Sequence, residues 1–292
     1  MEQGRITQVA ALGGVTLDGE TAIGGSDPAL PTPWPVGEVA AVALASAGAA
    51  ASRLARRAGG DPGPVRTDVG AAAAATVGFA VMRVDGEPMA RTNAENPWVG
   101  RYRCGDGRWI HLHGGFPVLV ERLASLLELP ADADEAAIVA AVARRESGPL
   151  EDAIAAQRGC SAIIRSEDEW RRHPQGALVD SWPVVVQRDS RVAAEGRWSP
   201  SPTRPLAGLR VLDLTRVLAG PTCGRTLAAF GAEVLHVRGP NVPNVPAFVV
   251  DTGHGKHQAH ADLTDPDQLT MLRSVALAAD VVVQGYRPGV VA

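Results

Sequence analysis

The sequence contains little cysteine, few aromatic residues and almost no lysine. Of its 292 residues, three are cysteines, 4% are aromatic, and the only lysine stands at position 256 beside many arginines. Cys104, Cys160 and Cys223 are far apart and form neither a CxxC pair nor another metal-ligand spacing. We therefore expect reduced, buried thiols in a cytoplasmic protein, and no bound metal.

Long hydrophobic runs and a large excess of one charge are also missing. Hydrophobic residues make up 46% of the chain, which is enough for a full core, and the net charge is −4. A mildly acidic protein offers no broad basic face to a nucleic-acid backbone. No apolar run reaches the roughly 20 residues of a membrane span, and the N-terminus lacks the pattern of a signal peptide. We therefore expect neither a nucleic-acid partner nor a membrane partner.

The local sequence pattern changes along the chain and predicts four segments. In order they are an extended lead-in with long helices that pack on the large domain, a small α+β domain, a return strand with a Pro/Ser-rich linker, and a Rossmann-like unit. Their predicted bounds are 1–95, 96–180, 181–207 and 208–292.

The first three segments carry mostly structural signals. Ala-rich residues 36–60 predict a long helix, and 65–84 predict a short strand leading into a second helix. Their small residues favour tight helix packing over ligand binding. YRCGDGRWIHLHGG (102–115) predicts a β-hairpin with its turn at Gly105-Asp106-Gly107. Apolar residues at helical spacing predict helices at 118–129, 135–146 and 148–159, and residues 182–208 predict the return strand followed by the linker.

The last segment alternates strands and helices. Strands are predicted at 209–214, 233–238 and 280–285, and helices at 223–230 and 265–279. The first strand, LRVLDL, is an almost continuous apolar run, as a buried parallel strand should be. The predicted fold class is therefore α/β, with a Rossmann-like parallel sheet whose ligands bind at the carboxyl ends of the strands.

The turn after the first of these strands does not carry a dinucleotide fingerprint. It reads LAGPTCG rather than GxGxxG, and the next strand ends at Arg238 instead of an acidic residue. NAD binding needs those glycines and a carboxylate for the ribose diol. A basic residue at the end of a strand suits a phosphate better.

Four motifs in this segment resemble CoA-transferase family III. VLDLTRVLAGP, GAEVLHV, DTGHGKHQAHADL and ADVVVQGYRPG follow one another here. They are similar in order and spacing to the family's VLDLTRVLAGP, GADVIKVE, N-R-G-K-R-S before a D-L strand, and ADVLVENFRPG. The family includes formyl-CoA transferase, carnitine CoA-transferase and α-methylacyl-CoA racemase, and four ordered motifs make the resemblance specific.

The first half of the chain resembles a later part of the same family. Residues 33–57 look like the helix after the family's catalytic segment, 65–74 like its V-D-V-S-L-L-D-A-A element, and 102–115 like its small-domain hairpin. Residues 169–185 look like the segment that returns from the small domain. The resemblance thus implies the family fold in permuted order.

The resemblance also implies a binding site for coenzyme A or acyl-CoA as substrate. The contacts would come from the turn after the first strand, the end of the second, the HGKH element and the QGYR element. The implied cofactor-binding residues are Arg216, Val217, Leu218, Ala219, Gly220, Arg238, Gly255, Lys256, His257, Gly285, Tyr286 and Arg287.

Structural alternatives stand beside several of these roles. Arg216 could be a plain surface arginine, Lys256 a solvated loop lysine, and Tyr286 a packing residue under the sheet edge instead of a platform for adenine. His257 replaces a family arginine and is only partly protonated near neutral pH. Gly285 replaces a family asparagine, so that side-chain contact is lost.

The small-domain hairpin offers a weaker candidate. Its glycines Gly114 and Gly115 border the acyl end of the substrate if the resemblance holds, and His111 and His113 precede them. A tight hairpin with exposed histidines is the alternative.

The implied reaction is the transfer of CoA between carboxylic acids, with a carboxylic acid as acceptor. In the family an aspartate attacks the acyl-CoA thioester, and this covalent route splits one hard step into easier ones. No catalytic residue can be assigned here, because Asp18 and Asp27 lack the D-x-x-x-Q-A-x-S-G context. An epimerase of the α-methylacyl-CoA racemase type and a catalytically incomplete or truncated CoA-binding or accessory chain remain as alternatives. The resemblance further implies an interlocked homodimer.

Overall fold

The chain is divided into two units in its computed structural model. The structure describes residues 7, 10–11, 21–89, 96–188, 198–240 and 243–287. Residues 1–90 together with 183–292 form one unit, and residues 91–182 form the other. The division into four segments stays a prediction.

The first unit begins with a parallel strand pair joined through a long helix. Its opening elements are β1 (Thr21–Gly24), α1 (Val36–Arg57), β2 (Val65–Asp68), α2 (Val69–Thr76), α3 (Gly78–Val81) and a hairpin of β3 (Arg83–Val84) and β4 (Glu87–Pro88). Small residues bring α1 and α2 together around buried Ala41, Val69 and Ala72. A Cβ at Gly48 of α1 would lie 2.9 Å from Val65, so this helix approaches β2 as closely as glycine permits.

Helix α1 is the one described element that is long and apolar enough, by length and composition, to cross a membrane. Its alanines at 41, 45 and 49 are buried within the protein, as in a core helix. A single helix of this kind is weak evidence for a membrane span. The absence of a membrane partner stays a prediction.

The second unit is a small α+β fold. Its elements are β5 (Val99–Arg103), β6 (Trp109–His113), α4 (Pro117–Leu127), α5 (Glu135–Val142), α6 (Ser147–Ala156), β7 (Ser161–Ile163), α7 (Glu167–Arg172) and α8 (Pro174–Asp180). The antiparallel sheet has the order β5-β6-β7. Alternation along β6 buries Ile110 and Leu112 in the helical core. The predicted hairpin is confirmed, whereas β7 was too short to be recognised in the sequence.

The remainder of the first unit is a parallel sheet with helices on both faces. Its elements are β8 (Arg210–Asp213), α9 (Ala219–Ala229), β9 (Glu233–Arg238), α10 (Pro246–Thr252), β10 (Lys256–His260), α11 (Pro266–Ala278) and β11 (Val281–Val283). The strand order is β10-β9-β8-β11, and every pair is parallel. Val211 and Val234 pack with Leu227 of α9, whereas Leu212 packs with Leu272 of α11. The predicted α/β class and parallel sheet are confirmed; the permuted order stays a prediction.

The order of the strands reverses at the carboxyl edge of this sheet. The chain runs from β8 to β9 to β10 in one direction, and β11 then adds on the other side of β8. The backbone N–H of Leu214 donates to the carbonyl of Val283 at 2.9 Å, so the segments that leave β8 and β11 start side by side. In open α/β sheets ligands bind at such a point, where the order of strands reverses.

Three sequence predictions are wrong in detail. The helix expected at 223–230 begins at Ala219, because Pro221 fits the first turn of a helix, where its missing N–H is not needed. Residues 182–188, where the return strand was expected to begin, form no strand, and Val184 to Val186 are more than half exposed; β-branched residues form a strand mainly where neighbouring strands pack against them. Cys160 and Cys223 are exposed free thiols, and only Cys104 is buried.

Candidate functional site

The candidate site is the turn between β8 and α9, at the carboxyl edge of the parallel sheet. It is the segment that matched the family's first motif, and the residues after β11 lie beside its start. What distinguishes this turn is the buried polar network that holds it to the sheet.

The centre of the network is an ion pair between Asp213 and Lys256. Lys256 Nζ lies 2.9 Å from Asp213 Oδ2, and neither side chain has any exposed area. The same ammonium donates to the carbonyl of Pro221 at 2.7 Å. Lys256 begins β10, so its side chain runs beneath α9 and ties the end of β8 to the first turn of that helix.

Three further hydrogen bonds hold the start of the turn. Asp213 Oδ1 accepts from the backbone N–H of Thr215 at 2.9 Å and from the Thr215 hydroxyl. Nε2 of His236, on the neighbouring strand β9, lies 3.0 Å from the Thr215 carbonyl. A carbonyl only accepts, so Nε2 carries the proton. Thr215 and His236 are both buried.

Glycines let α9 lie directly on this network. A Cβ at Gly224 would be 2.5 Å from Asp213 Oδ2 and 2.9 Å from Lys256 Nζ, and a Cβ at Gly220 would be 2.3 Å from the Thr215 side chain. Neither position has room for a methyl group. In this structure the two glycines of LAGPTCG thus allow α9 to pack directly on the buried polar network.

The pKa values of Asp213 and His236 are both lowered in the network. Burial raises the pKa of Asp213, but hydrogen bonds from Lys256 and Thr215 outweigh it and hold this pKa below its usual range. Burial lowers the pKa of His236, although the Thr215 carbonyl and the Asp213 charge oppose this shift. At neutral pH the network therefore contains an ionised carboxylate and a neutral imidazole.

The middle of the turn is partly exposed. Val217 is exposed and has a φ of 68°, which is unusual for a β-branched residue. Arg216 donates through Nη2 to the carbonyl of Pro243 in the segment after β9. The predicted residues Leu218, Ala219 and Gly220 follow, the last two as the first residues of α9.

Arg238 and Tyr286 also lie at the carboxyl edge. Arg238 ends β9, donates through Nη2 to Gln258 Oε1 at 2.9 Å, and its buried Nε has no hydrogen-bond partner among the described residues. Tyr286 packs against the buried cluster of Leu212 and Leu214. Burial raises the pKa of Tyr286, and the Arg216 charge opposes this rise. Packing beneath the sheet edge is thus part of the tyrosine's role.

Gly285 and Arg287 complete the QGYR element on this edge. Both are exposed, and a Cβ at Gly285 would meet nothing within 4 Å. The structure therefore brings together the residues predicted from the turn, the end of β9 and the segment after β11.

The structure does not bring Gly255 and His257 to this edge. They stand at the start of β10, and the start of a parallel strand lies at the amino edge of the sheet. His257 lines a cavity of about 310 Å³ with Arg210 and Glu233, which also belong to the amino ends of their strands. Lys256 is not the solvated loop lysine that was the alternative, and its ammonium is occupied within the protein.

Two of the residues that anchor the turn were not recognised in the sequence. Asp213 and His236 lie in the matched motifs, yet neither was predicted to be functional. A usable signal was Asp213 itself, a carboxylate at the end of a buried apolar run that must have a partner.

The hairpin histidines form only a loose pair. The ring centroids of His111 and His113 are 6.1 Å apart on β6. Within the part of the chain that the structure describes, no three metal-ligating side chains come together. The roles predicted for this hairpin and its glycines stay predictions.

Comparisons with known proteins agree with the motif analysis. A family model described as CoA-transferase family III matches residues 6–179 and 206–292. Acetyl-coenzyme A transferase nodX of Hypoxylon pulicicidum is 33% identical over 208 residues, which cover 65% of this chain and 34% of that protein. An acyl-CoA transferase of Gibberella moniliformis is 30% identical over 197 residues, covering 63% and 34%. Formyl-CoA:oxalate CoA-transferase of Rhodopseudomonas palustris is 35% identical over 100 residues, covering 30% and 24%. The chain thus spans about a third or less of the length of these relatives.

Replacing Gly224 by alanine should destabilise the protein. The new methyl group would collide with both members of the buried ion pair, and overpacking of this kind costs about 1–3 kcal/mol. Urea unfolding measures the loss. Gly285→Ala, which adds a methyl group in open space, is the control and should change stability by no more than about 0.5 kcal/mol. Equal effects of the two substitutions would contradict the packing described.

His236 should make the protein less stable in mild acid. Its pKa is lower in the folded than in the unfolded chain, so the unfolded chain binds more protons as pH falls below the ordinary histidine value of about 6.5. The free energy of unfolding should then fall by up to about 1.4 kcal/mol per pH unit. In His236→Gln, which keeps a donor for Thr215, this drop should be smaller.

The measurement is urea unfolding at several pH values between about 7.5 and 5.5. His260→Gln, at an exposed histidine, is the matched control and should keep the wild-type slope. The assignment to His236 fails if His236→Gln and the wild type lose stability in parallel.

Proposed function

The chain belongs to CoA-transferase family III, and from this premise we propose that it binds an acyl-CoA thioester at the carboxyl edge of the parallel sheet and serves the transfer of CoA between carboxylic acids. The observation that carries the proposal is the turn at 214–218. It lies where the strand order reverses, it is anchored by buried groups, and it presents Arg216 and Val217 outward.

The charges around this turn suit the phosphates of CoA. Arg216, Arg238 and Arg287 come from three different strand ends on the same edge. Guanidinium groups bind phosphate through paired, charge-assisted hydrogen bonds. Arg238 ends β9 beside this turn and adds a positive charge to the same edge. Tyr286 and Val217 supply apolar surface for the uncharged parts of the ligand.

The carboxylate at the end of β8 is not suited to attack the thioester. Asp213 is fully buried, and both of its oxygens accept hydrogen bonds from the protein. Asp27 accepts from the backbone N–H groups of Gly37 and Glu38 and thereby caps the start of α1. Asp18 lies outside the described residues. The proposed contribution of this chain is therefore to bind and orient the CoA thioester.

Three further parts complete the proposal. The family resemblance implies a carboxylic acid as acceptor and an interlocked homodimer, and the scattered cysteines of the sequence favour a cytoplasmic location. The racemase-type reaction needs the same CoA site with a different pair of proton-transfer groups. The lack of a recognisable nucleophile favours a chain that binds CoA without catalysis. Assays of CoA transfer and of epimerisation decide between the two reactions and binding alone.

Arg216→Ala should weaken CoA binding by about ten- to a hundredfold, since a hydrogen bond to a charged group contributes about 1.5–3 kcal/mol. Isothermal titration with CoA and acetyl-CoA measures the affinity. Arg273→Ala removes the same charge from an exposed position on α11 and should bind as the wild type does. A folded wild-type chain that binds neither ligand, or equal losses in the two variants, would refute the proposed site.

A further inference from the structure

We propose that Lys256 and Asp213 are positioning residues, whose buried pair imposes a ligand-binding shape on the turn between β8 and α9. The ligand part rests on the proposed function, because the ligand is taken to be CoA. The conformational part concerns the chain alone and is tested without ligand.

The pair acts on both ends of the turn. At its start, Asp213 Oδ1 holds the N–H and hydroxyl of Thr215, while His236 holds the carbonyl of the same residue. At its end, Lys256 holds the carbonyl of Pro221. The 2.9 Å contact between Lys256 and Asp213 joins the two anchors. Residues 216–220 are therefore held at both ends, by Thr215 and Pro221, which are each bonded to residues of the sheet.

The backbone between these two anchors has an intrinsically unfavourable conformation. Val217 has a φ of 68°, in the left-handed region that a β-branched side chain disfavours. Val217 is exposed, so its own side chain contributes little packing that could hold it there. Such conformations persist only where the surroundings fix them, and they cluster at functional sites. The surroundings here are the two anchors.

Stability alone does not account for this pair. Two charges taken fully out of water lose much hydration, and a buried ion pair replaced by apolar residues often leaves stability unchanged or improved. An apolar pair, however, offers no acceptor to Thr215 and no donor to Pro221. The effect of the pair on the turn is therefore separable from its effect on folding.

The decisive variant removes both charges together. Asp213→Val with Lys256→Met leaves no unpaired buried charge, so the chain should still fold cooperatively, with a melting temperature lowered only by the polar groups that lose their partners. Hydrogen exchange of residues 214–222, read by mass spectrometry without ligand, should become faster. The dissociation constant for CoA should rise by about ten- to a hundredfold, as displaced binding groups typically cause.

A milder variant covers the case in which the double variant does not fold. Thr215→Val keeps the shape of the side chain but removes its hydroxyl bond to Asp213, and should weaken CoA binding by about two- to tenfold. Thr226→Val is the matched control. It removes an ordinary bond from the Thr226 hydroxyl to the Thr222 carbonyl within α9, and should leave exchange in the turn and affinity unchanged.

The outcomes separate the two proposals. If the wild type does not bind CoA, the proposed function fails, while exchange in the turn still decides whether the pair positions it. The positioning role is refuted if hydrogen exchange of residues 214–222 in the folded double variant is as slow as in the wild type. Thr215→Val takes the place of the double variant if that variant does not fold. Faster exchange with unchanged CoA affinity refutes the ligand part alone.

Discussion

The salt bridge between Asp213 and Lys256 holds together the end of β8, the start of β10 and the first turn of α9. Because neither side chain has exposed area, each charge depends on the other and on nearby hydrogen bonds for stabilisation. Glycine at 224 follows from this arrangement, since the helix must lie directly on the pair. The placement of His236 follows as well, because the Thr215 carbonyl needs a donor from the adjacent strand. One interaction thus explains why several residue types stand where they do.

The geometry of a parallel sheet determines which predicted residues can act together. The turn after β8, the end of β9 and the segment after β11 meet at the carboxyl edge, where the strand order reverses. Arg216, Arg238 and Tyr286 share this edge. Gly255 and His257 stand at the opposite edge, because they begin a strand instead of ending one. Lys256 connects the two, since its long side chain extends from the start of β10 to the end of β8.

Much of the fold could be read from the sequence, because its elements have strong local signals. The apolar run before Asp213, the helix at 36–57 and the hairpin around Gly107 all have patterns that tertiary contacts do not override. The start of α9 was placed too late, since Pro221 was taken for a turn residue. The valines at 184–186 have strand propensity but no described strand beside them. The role of Lys256 could not be found from a motif, because a motif records order along the chain and not the edge of the sheet to which a side chain extends.

The location of the ligand is tested most directly by backbone amide chemical shifts of the isotope-labelled chain during titration with CoA. A site at the carboxyl edge predicts the largest shifts at residues 215–218 and 284–287, with little change at Gly255 and His257. Saturation of those shifts at one common dissociation constant would confirm a single site on that edge. The largest shifts at Gly255 and His257, with the turn unaffected, would place the ligand at the opposite edge and contradict the role assigned to the anchored turn.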